Sequence, residues 1–309
     1  MAKGVGASDW QTGHTAKKGL IVTTTLSVTV LVENTANQRG LLAEHGLAFW
    51  VECNGQRFLF DTGQGMALAR NAAKLGIDLS AADVVILSHG HYDHSGGLQA
   101  ILPSLRRAAV CAHATAFCDR FAHSPQTGAR SVRSPIESLD RLTPHVRQII
   151  ATSSSPLELG KGLWVTGQIP RRNDFEDVGG AFYLDPACTQ PDPVADDQAI
   201  YAKTGDGLVV LLGCAHSGVV NTLDYICEST GESRIHAVLG GMHLLNADDN
   251  RMERTIRRLR ELDVQRIGLA HCTGFGAMAR LHHALPNRCF HCVTGTRIEI
   301  GPATREARA

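Results

Sequence analysis

Apolar and polar positions in the second half of the chain follow a regular pattern. Short runs of Val, Ile and Leu, typical of buried strands, are each followed by a longer stretch with apolar residues at helical spacing. The predicted strands lie at 207–212, 236–239 and 266–269, and the predicted helices at 219–229, 252–262 and 277–285. This alternation predicts an α/β fold. We expect a final strand over 288–300.

The first half of the chain is richer in strand patterns. Residues 26–33 alternate and carry many β-branched side chains, which predicts a strand. Asn54-Gly55 separates two strand-like runs at 47–52 and 56–60, and Asn-Gly in that position is a strong hairpin signal. The apolar run at 84–87 predicts another buried strand, and helices are expected at 66–75 and 98–105.

Three stretches depart from this regular pattern. Residues 1–18 are polar and contain glycine, so we expect a loose extension ahead of a single domain at 19–309. Residues 116–155 are rich in Pro, Ser, Thr and Arg, which predicts an irregular insertion with a short helix. This insertion covers the functional site, forms a dimer contact, or is a surface excursion. Residues 185–197 are rich in Pro and Asp and are interpreted as a flexible link between the two halves of the fold.

A cluster of histidines follows the strand predicted at 84–87. It carries His89, His91, Asp93 and His94 at H-x-H-x-D-H spacing. Imidazole nitrogen and carboxylate oxygen suit Zn, Fe or Mn better than Ca or Mg. A tight loop can direct alternate side chains at one ion and the remaining pair at a second. We therefore predict a metal site here.

Three later strands each end in a histidine before the next helix. These residues are His216, His243 and His271. Ligands of open α/β sheets collect beyond the carboxyl ends of the strands. The loop that begins at Ser88 also follows a strand, so all four turns are expected to converge on one edge of the fold.

The H-x-H-x-D-H loop resembles the metal-binding signature of the metallo-β-lactamase superfamily. Further segments resemble a branch of metal-dependent hydrolases that includes the dihydropterin-linked aminobenzene-ribofuranosyl phosphate synthases of methanopterin biosynthesis. These segments are Glu44-His45-Gly46-Leu47-Ala48-Phe49, Leu59-Phe60-Asp61-Thr62-Gly63, Asp197-Gln198-Ala199-Ile200, Gly213-Cys214-Ala215-His216-Ser217-Gly218 and Gly240-Gly241-Met242-His243-Leu244. The resemblance spans roughly residues 26–300. It implies a four-layer αββα sandwich.

The resemblance also implies two divalent metal ions per chain, zinc first, with iron or manganese as alternatives. One ion would be bound by His89, His91 and His216, and the other by Asp93, His94 and His271. Asp61 would lie beneath the loop and orient ligands, or simply cap its own turn.

The family's bridging carboxylate follows a strand in a Gly-Asp pair, and Gly213-Cys214 stands at the comparable position here. The bridge is therefore absent or is the Cys214 thiolate. If the bridge is absent, His216 is a metal ligand and Cys214 is only a packed side chain.

The chemistry implied is hydrolysis of a small-molecule ester, lactone or phosphodiester by a metal-activated water. Asp93 would orient the nucleophile. His243 would touch the substrate or donate a proton, or would be a structural histidine. Arg171 or Arg172 would bind an anionic group of the substrate, or would be solvated. The alternatives are a transferase that displaces pyrophosphate from a pterin-methyl donor, and a non-catalytic binding protein with a degenerate site.

Composition narrows the class of protein. The chain has 309 residues, with 30 basic and 30 acidic side chains, so its formal net charge is zero. That balance argues against a nucleic-acid partner, which requires a basic excess. Nine cysteines without a disulfide-like spacing favour the reducing cytoplasm. The sequence contains no apolar run long enough to span a membrane. We expect a small-molecule substrate, and a homodimer is compatible with the pattern.

Overall fold

Two seven-stranded β-sheets face each other in the computed structural model, which describes residues 24–301. The extension predicted at 1–18 lies outside the described residues. Helices cover the outer face of each sheet. The predicted αββα sandwich is therefore confirmed. No helix within 24–301 is long and apolar enough to cross a membrane.

The elements divide among two large sheets, one small sheet and the covering helices. In spatial order the first sheet contains β17 (Arg297–Ile300), β1 (Leu26–Val32), β2 (Ala48–Cys53), β3 (Gln56–Phe60), β4 (Val84–Ile86), β5 (Ala109–His113) and β8 (Gln148–Thr152). The second contains β16 (Cys289–His291), β15 (Arg266–Ala270), β14 (Ile235–Gly241), β13 (Gly207–Leu212), β12 (Ile200–Thr204), β10 (Leu163–Val165) and β9 (Leu157–Gly160). The small sheet contains β11 (Phe182–Tyr183), β6 (Phe121–Ser124) and β7 (Gly128–Ser131). The helices are α1 (Leu68–Lys74), α2 (Tyr92–Ser95), α3 (Leu98–Ile101), α4 (Val219–Thr230), α5 (Asp249–Glu261) and α6 (Phe275–Ala284), with 3₁₀ turns at Leu79–Ala81, Leu102–Ser104, Leu139–Arg141 and His271–Thr273.

Alternation along each central strand explains the layers. On β13, Val209 and Leu211 face the core between the two sheets, whereas Leu208, Val210 and Leu212 face the helices on the outside. Both faces of such a strand are buried, so its sequence is a continuous apolar run. A third core lies between the first sheet and α1 and α3. Three cores between four layers hold the sandwich together.

Strand direction within the sheets decides where the functional residues gather. Strands β3, β4, β5 and β8 run parallel in the first sheet. Strands β13 to β16 run parallel in the second sheet. The carboxyl ends of parallel strands meet at one edge of their sheet. The segments after β3, β4, β13, β14 and β15 carry the predicted site.

The single final strand predicted over 288–300 is wrong. The structure has two strands there, β16 in the second sheet and β17 in the first. Between them Gly295 adopts a positive φ of 88° and donates its N–H to the carbonyl of Val30. Cys292 before this turn and Ile298 after it face the same core between the sheets. The apolar pattern therefore continues while the chain changes sheets.

The flexible link predicted at 185–197 is also wrong. The chain passes from the first sheet to the second between β8 and β9, at residues 153–156. Asp192, Asp196 and Asp197 are buried. These carboxylates accept hydrogen bonds from buried donors, which explains an acidic composition that otherwise indicates a solvated linker.

The insertion predicted at 116–155 is more regular than expected. It contains β6 and β7, a 3₁₀ turn at Leu139–Arg141, and β8, which forms an edge of the first sheet. Strands β6 and β7 pair with each other, and β11, from later in the chain, pairs with β6. The resulting small sheet lies beside the predicted metal loop, because His91 forms an isolated antiparallel bridge with Arg133.

Candidate metal centre

The histidine-bearing turns meet at one edge of the sandwich. The loop after β4 places His89, whose ring centroid lies 4.7 Å from that of His216, after β13. The same loop places His94, whose ring centroid lies 5.0 Å from that of His271, after β15. The residues that sequence analysis assigned to a metal site therefore lie together in space.

The first donor group is formed by His89, His216 and Cys214, whose ligand atoms all lie within 4.8 Å of one another. His91 lies beside this group, with its Nδ1 3.1 Å from Nε2 of His89. Its ring centroid is 4.9 Å from that of His216. All four side chains are buried, so their free nitrogen and sulfur atoms face one another away from solvent.

The second donor group is formed by His94, His271 and Cys214, again within 4.8 Å. Nε2 of His94 lies 3.1 Å from Sγ of Cys214 and 3.3 Å from Nε2 of His271. Oδ2 of Asp93 lies 3.3 Å from Nε2 of His271. Cys214 therefore belongs to both groups and lies between them.

Asp61 orients the loop from below. Its buried carboxylate accepts hydrogen bonds from Nδ1 of His94 at 2.6 Å and from the backbone N–H and hydroxyl of Ser88, both at 2.7 Å. Because the Ser88 hydroxyl donates to Asp61, it accepts from Nδ1 of His89, 2.8 Å away. Nδ1 of each histidine is thus a hydrogen-bond donor, which leaves Nε2 as the nitrogen that can ligate at the centre.

Protein acceptors orient two further histidines in the same way. Nδ1 of His216 donates to the carbonyl of Val178 at 2.8 Å, and Nδ1 of His271 pairs with Oδ1 of Asn34 at 2.8 Å. Nε2 of His216 is buried and has no hydrogen-bond partner among the described residues, and the same is true of Nε2 of His91. Buried polar atoms normally have a partner, so these two nitrogens have the environment expected of metal ligands.

The electrostatics separate the two donor groups. Burial, and then repulsion between neighbouring imidazoles, lowers the pKa of His89 and of His216 well below the ordinary value. Burial lowers the pKa of His91 to about 3. Burial also opposes the charge on His94, but Asp61 and Asp93 outweigh it and raise the pKa to about 9. His89, His91 and His216 therefore favour the neutral form with free lone pairs, whereas His94 favours the protonated form in the metal-free protein.

A buried ion cluster supports the loop from the other side. Oδ2 of Asp196 accepts a hydrogen bond from the N–H of Gly90 at 2.7 Å. Arg120 bridges Asp196 at 2.7 Å and Asp192 at 2.9 Å, and it is only 2% exposed. A Cβ at Gly90 would lie 1.7 Å from the carbonyl oxygen of Ala116. Sequence analysis missed this support, although the acidic composition of 185–197 was a signal of it.

Comparison with known proteins identifies the family. The model of the metallo-beta-lactamase superfamily matches residues 42–271. The chain belongs to the metallo-β-lactamase superfamily. The match extends from the loop before β2 to His271, and it therefore includes both donor groups. The resemblance found in the sequence is confirmed.

Two relatives from Methanocaldococcus jannaschii are similar over most of their length. "Uncharacterized protein MJ0448" is 32% identical over 255 residues, which is 82% of this chain and 93% of that protein. The enzyme named 7,8-dihydropterin-6-methyl-4-(beta-D-ribofuranosyl)-aminobenzene-5'-phosphate synthase is 33% identical over 250 residues, which is 76% of this chain and 83% of the synthase.

Solved structures of the superfamily support the same assignment. Tm1679, described as a metal-dependent hydrolase of the β-lactamase superfamily, superposes with a TM-score of 0.75 at 29% sequence identity, covering 89% of this chain and 99% of that one. Zinc-bound PqqB from Methylobacterium extorquens gives a TM-score of 0.53 at 14% identity, covering 89% of this chain and 100% of that one. The second likeness shows a shared fold alone.

Cys214 occupies the place where the superfamily resemblance leads one to expect a bridging carboxylate. Burial raises the pKa of its thiol well above the usual range, so without a cation it is neutral. A second thiol, that of Cys272, forms a third compact group with Cys214 and His243 within 4.8 Å. Sequence analysis missed Cys272, although it directly follows His271.

His243 lies at the edge of the first donor group. Its ring centroid is 4.3 Å from that of His216, and its buried Nδ1 has no partner among the described residues. Gly179 packs directly on the ring, since a Cβ there would lie 1.8 Å from Cδ2. Burial lowers the pKa of His243, but Cys272 outweighs this effect and raises it. His243 also lines the cavity above the centre, where it can contact a substrate.

The predicted anion-binding arginines point elsewhere. Nη2 of Arg171 donates to the carbonyls of Pro193 and His216, at 2.8 and 2.6 Å. Arg172 forms an ion pair with Glu228 on α4. The structure does not bring either arginine into the cavity lining. Arg171 instead supports the backbone of the His216 turn.

A cavity of about 450 Å³ opens above the two donor groups. Its floor includes His91, Asp93, Cys214 and His271. At its rim His45, 55% exposed at the side chain, places Nε2 3.2 Å from Oδ2 of Asp93. His45 belongs to the Glu44–Phe49 motif of the sequence, but that motif alone indicated no role for it.

Proposed function

We propose that this protein is a metal-dependent hydrolase of a small molecule with an ester, lactone or phosphodiester bond. The observation that carries this proposal is the pair of buried donor groups that share Cys214 at the floor of an open cavity. A purely structural histidine cluster would have no reason to leave buried nitrogens without partners beside a solvent-connected space. The family assignment supports the same conclusion.

The residues present fit two divalent cations, with zinc as the first choice because nitrogen and thiolate donors predominate. His89, His91 and His216 would hold one ion. Asp93, His94 and His271 would hold the other. Cys214 belongs to both donor groups, and its thiol would lose its proton on binding and serve as a thiolate donor.

The ions, when bound, would supply Lewis acidity and lower the pKa of water from 15.7 to about 7. The chain's own residues would do the rest. Asp93 lines the cavity and would accept a hydrogen bond from an attacking water. His243, which also lines the cavity and lies within 4.8 Å of Cys214, would donate a proton to the leaving group. Asp61 and Ser88 hold the imidazoles in the tautomer that ligates.

The proposed setting is the reducing cytoplasm. All nine cysteines are free thiols in the structure, and Cys214 must stay reduced to ligate. The formal net charge of zero supports a small-molecule substrate in preference to a nucleic acid.

The test begins with the metal content of the purified protein, measured beside His91→Ala and a matched control, His123→Ala. His123 is exposed on β6 and does not line the cavity. We expect two ions per chain in the wild type and the control, and fewer in His91→Ala. A panel of ester, lactone and phosphodiester substrates should then show metal-dependent turnover that His91→Ala loses. Absence of metal, or turnover that survives metal removal, would refute the proposal.

A second candidate function is favoured by the relative named as a synthase, at 33% identity. In that case the centre would promote displacement of pyrophosphate from a pterin-methyl donor. The two candidates differ in their products. Release of pyrophosphate from such a donor, dependent on an added aminobenzene acceptor, would support the transferase. Metal-dependent hydrolysis of esters without an acceptor would support the hydrolase.

A further inference from the structure

Large apolar side chains are exposed around the cavity. Phe275, at the start of α6, is 87% exposed, and Leu245 is 66% exposed. Both line the cavity above the donor groups, together with the partly buried Met278. Exposed apolar side chains grouped at the mouth of a cleft are typical of a ligand-binding surface. Leu245 lies two residues after His243 and Phe275 four residues after His271, so a ligand that contacts them lies close to the centre.

The small sheet forms the facing wall. Phe182 of β11 lies over two of the histidines, with its ring centroid 4.8 Å from that of His91 and 5.3 Å from that of His216. Val132, just after β7, lines the same cavity. An occupant of the cavity therefore contacts apolar side chains from the small sheet as well as from the turns after β14 and β15, close to the donor groups.

The same wall carries an exposed guanidinium. Arg130, on β7, is exposed and lines the cavity, and its guanidinium has no ion-pair or hydrogen-bond partner within residues 24–301. The nearby carboxylates are already engaged. Asp93 contacts His45, and Glu33 accepts the backbone N–H of His271 at 2.7 Å. Guanidinium matches carboxylate or phosphate in a bidentate fashion, so Arg130 offers an anion site at the cavity rim.

We propose that the substrate combines a flat apolar group with an anionic group. The apolar group packs against Phe275 and Leu245, the anion pairs with Arg130, and the bond to be cleaved lies over the donor groups. This inference rests on the proposed function for the position of the bond, but the binding of ring and anion depends only on the cavity walls. A volume of about 450 Å³ is sufficient for a molecule of that kind.

The test measures binding of four probes by calorimetry. They are 2-naphthoate and naphthalene-2-phosphonate, which carry ring and anion, 2-naphthol, which carries the ring alone, and acetate. Binding is measured on the metal-loaded protein and again with a chelator present, so that anion binding by the cations is separated from binding by Arg130. Comparison of the naphthoate with the phosphonate shows whether carboxylate or phosphate is preferred.

The variants are Phe275→Ala and Arg130→Ala, with matched controls Met66→Ala and Arg234→Ala. Met66 is 70% exposed and Arg234 is 65% exposed at the side chain, and neither lines the cavity. We expect Phe275→Ala to weaken every ring-bearing probe about tenfold, which corresponds to the loss of one aromatic contact. Arg130→Ala should weaken the two anionic ring probes about tenfold and leave 2-naphthol unchanged. The controls should bind as the wild type does.

The outcomes separate this inference from the proposed hydrolase. Loss of probe affinity in both variants supports the cavity assignment, even if no substrate of the panel is turned over. Metal-dependent turnover with wild-type probe binding in Phe275→Ala and Arg130→Ala would overturn the inference and leave the hydrolase intact. Equal weakening by Met66→Ala or Arg234→Ala would also overturn it, because the effect would then not belong to the cavity.

Discussion

Replacement of Asp61 by asparagine changes the hydrogen bond that orients His94. The side chain at position 61 is buried, and its backbone has a positive φ of 61°, which asparagine tolerates as well as aspartate does. The substitution therefore preserves shape and removes charge. The asparagine side chain can keep the acceptor that receives the N–H of Ser88, but its amide NH₂ then faces Nδ1 of His94.

An amide donor at that place favours the His94 tautomer that carries its proton on Nε2. That nitrogen lies 3.1 Å from Sγ of Cys214, and it is the one that must ligate. Loss of such an orienting partner lowers metal affinity about 10- to 100-fold, or about 1.4 to 2.7 kcal/mol. The metal-free protein also loses hydrogen bonds to a charged acceptor, which should lower its free energy of unfolding by about 2 to 3 kcal/mol.

The assay is a zinc titration against a competing chelator, followed by urea unfolding of the metal-free protein. Asp78→Asn is the matched control. Asp78 is an exposed carboxylate that accepts the N–H of Ser80 at 2.9 Å at the start of a 3₁₀ turn. The control should bind zinc as the wild type does and lose no more than about 1 kcal/mol of stability. Wild-type affinity at both sites in Asp61→Asn would refute the reasoning about the tautomer.

Two further predictions concern the same loop. Gly90→Ala places a Cβ 1.7 Å from the backbone carbonyl oxygen of Ala116, so we expect a lower unfolding midpoint and reduced metal content. The control is Gly276→Ala in α6, where a Cβ meets open space. Its free energy of unfolding should be unchanged or higher by up to about 1 kcal/mol. A Gly90→Ala protein with normal metal content would contradict this. The buried histidines also make stability depend on pH. The pKa of His91 falls from 6.5 to about 3 on folding, so below pH 6.5 the unfolded chain binds more protons than the folded one. As the pH falls from 7 to 5, this residue should therefore lower the free energy of unfolding of the metal-free protein by about 2 kcal/mol. Denaturant unfolding in the presence of a chelator measures this change. Between pH 7 and 5 the free energy of unfolding should fall by about 2 kcal/mol less in His91→Gln than in the wild type. An equal fall in both proteins would refute the prediction.

Local sequence determined the elements and the strongest part of the candidate site. The strongest donors are His89, His91, Asp93 and His94, which lie within six residues after an apolar strand. Their spacing and their position at the end of the strand can therefore be predicted without information on distant contacts. The positions of the later histidines also followed from local pattern, because a strand followed by a helix leaves its turn at one edge of the sheet.

Long-range packing decided what surrounds that loop. The support of Gly90 by Asp196 spans 106 positions in the sequence, and the contact of His94 with Cys214 spans 120. No periodicity joins residues so far apart. For the same reason the sequence suggested Arg171 or Arg172 as the anion site. In the folded chain Arg171 donates to two carbonyls, Arg172 pairs with Glu228, and Arg130 lines the cavity instead.

The last strand shows the limit of pattern most clearly. Cys292 and Ile298 both face the core between the sheets, so the alternation expected of one strand is preserved across a change of sheet. Hydrophobic pattern reports whether a side chain is buried, but it does not report which partner buries it. The sequence by itself therefore determined the α/β elements, the edge and the donor loop, and its family resemblance implied the four layers. The tertiary structure decided the partners: the shared thiol, the buried ion cluster and the walls of the cavity, because each depends on segments that meet only in the folded chain.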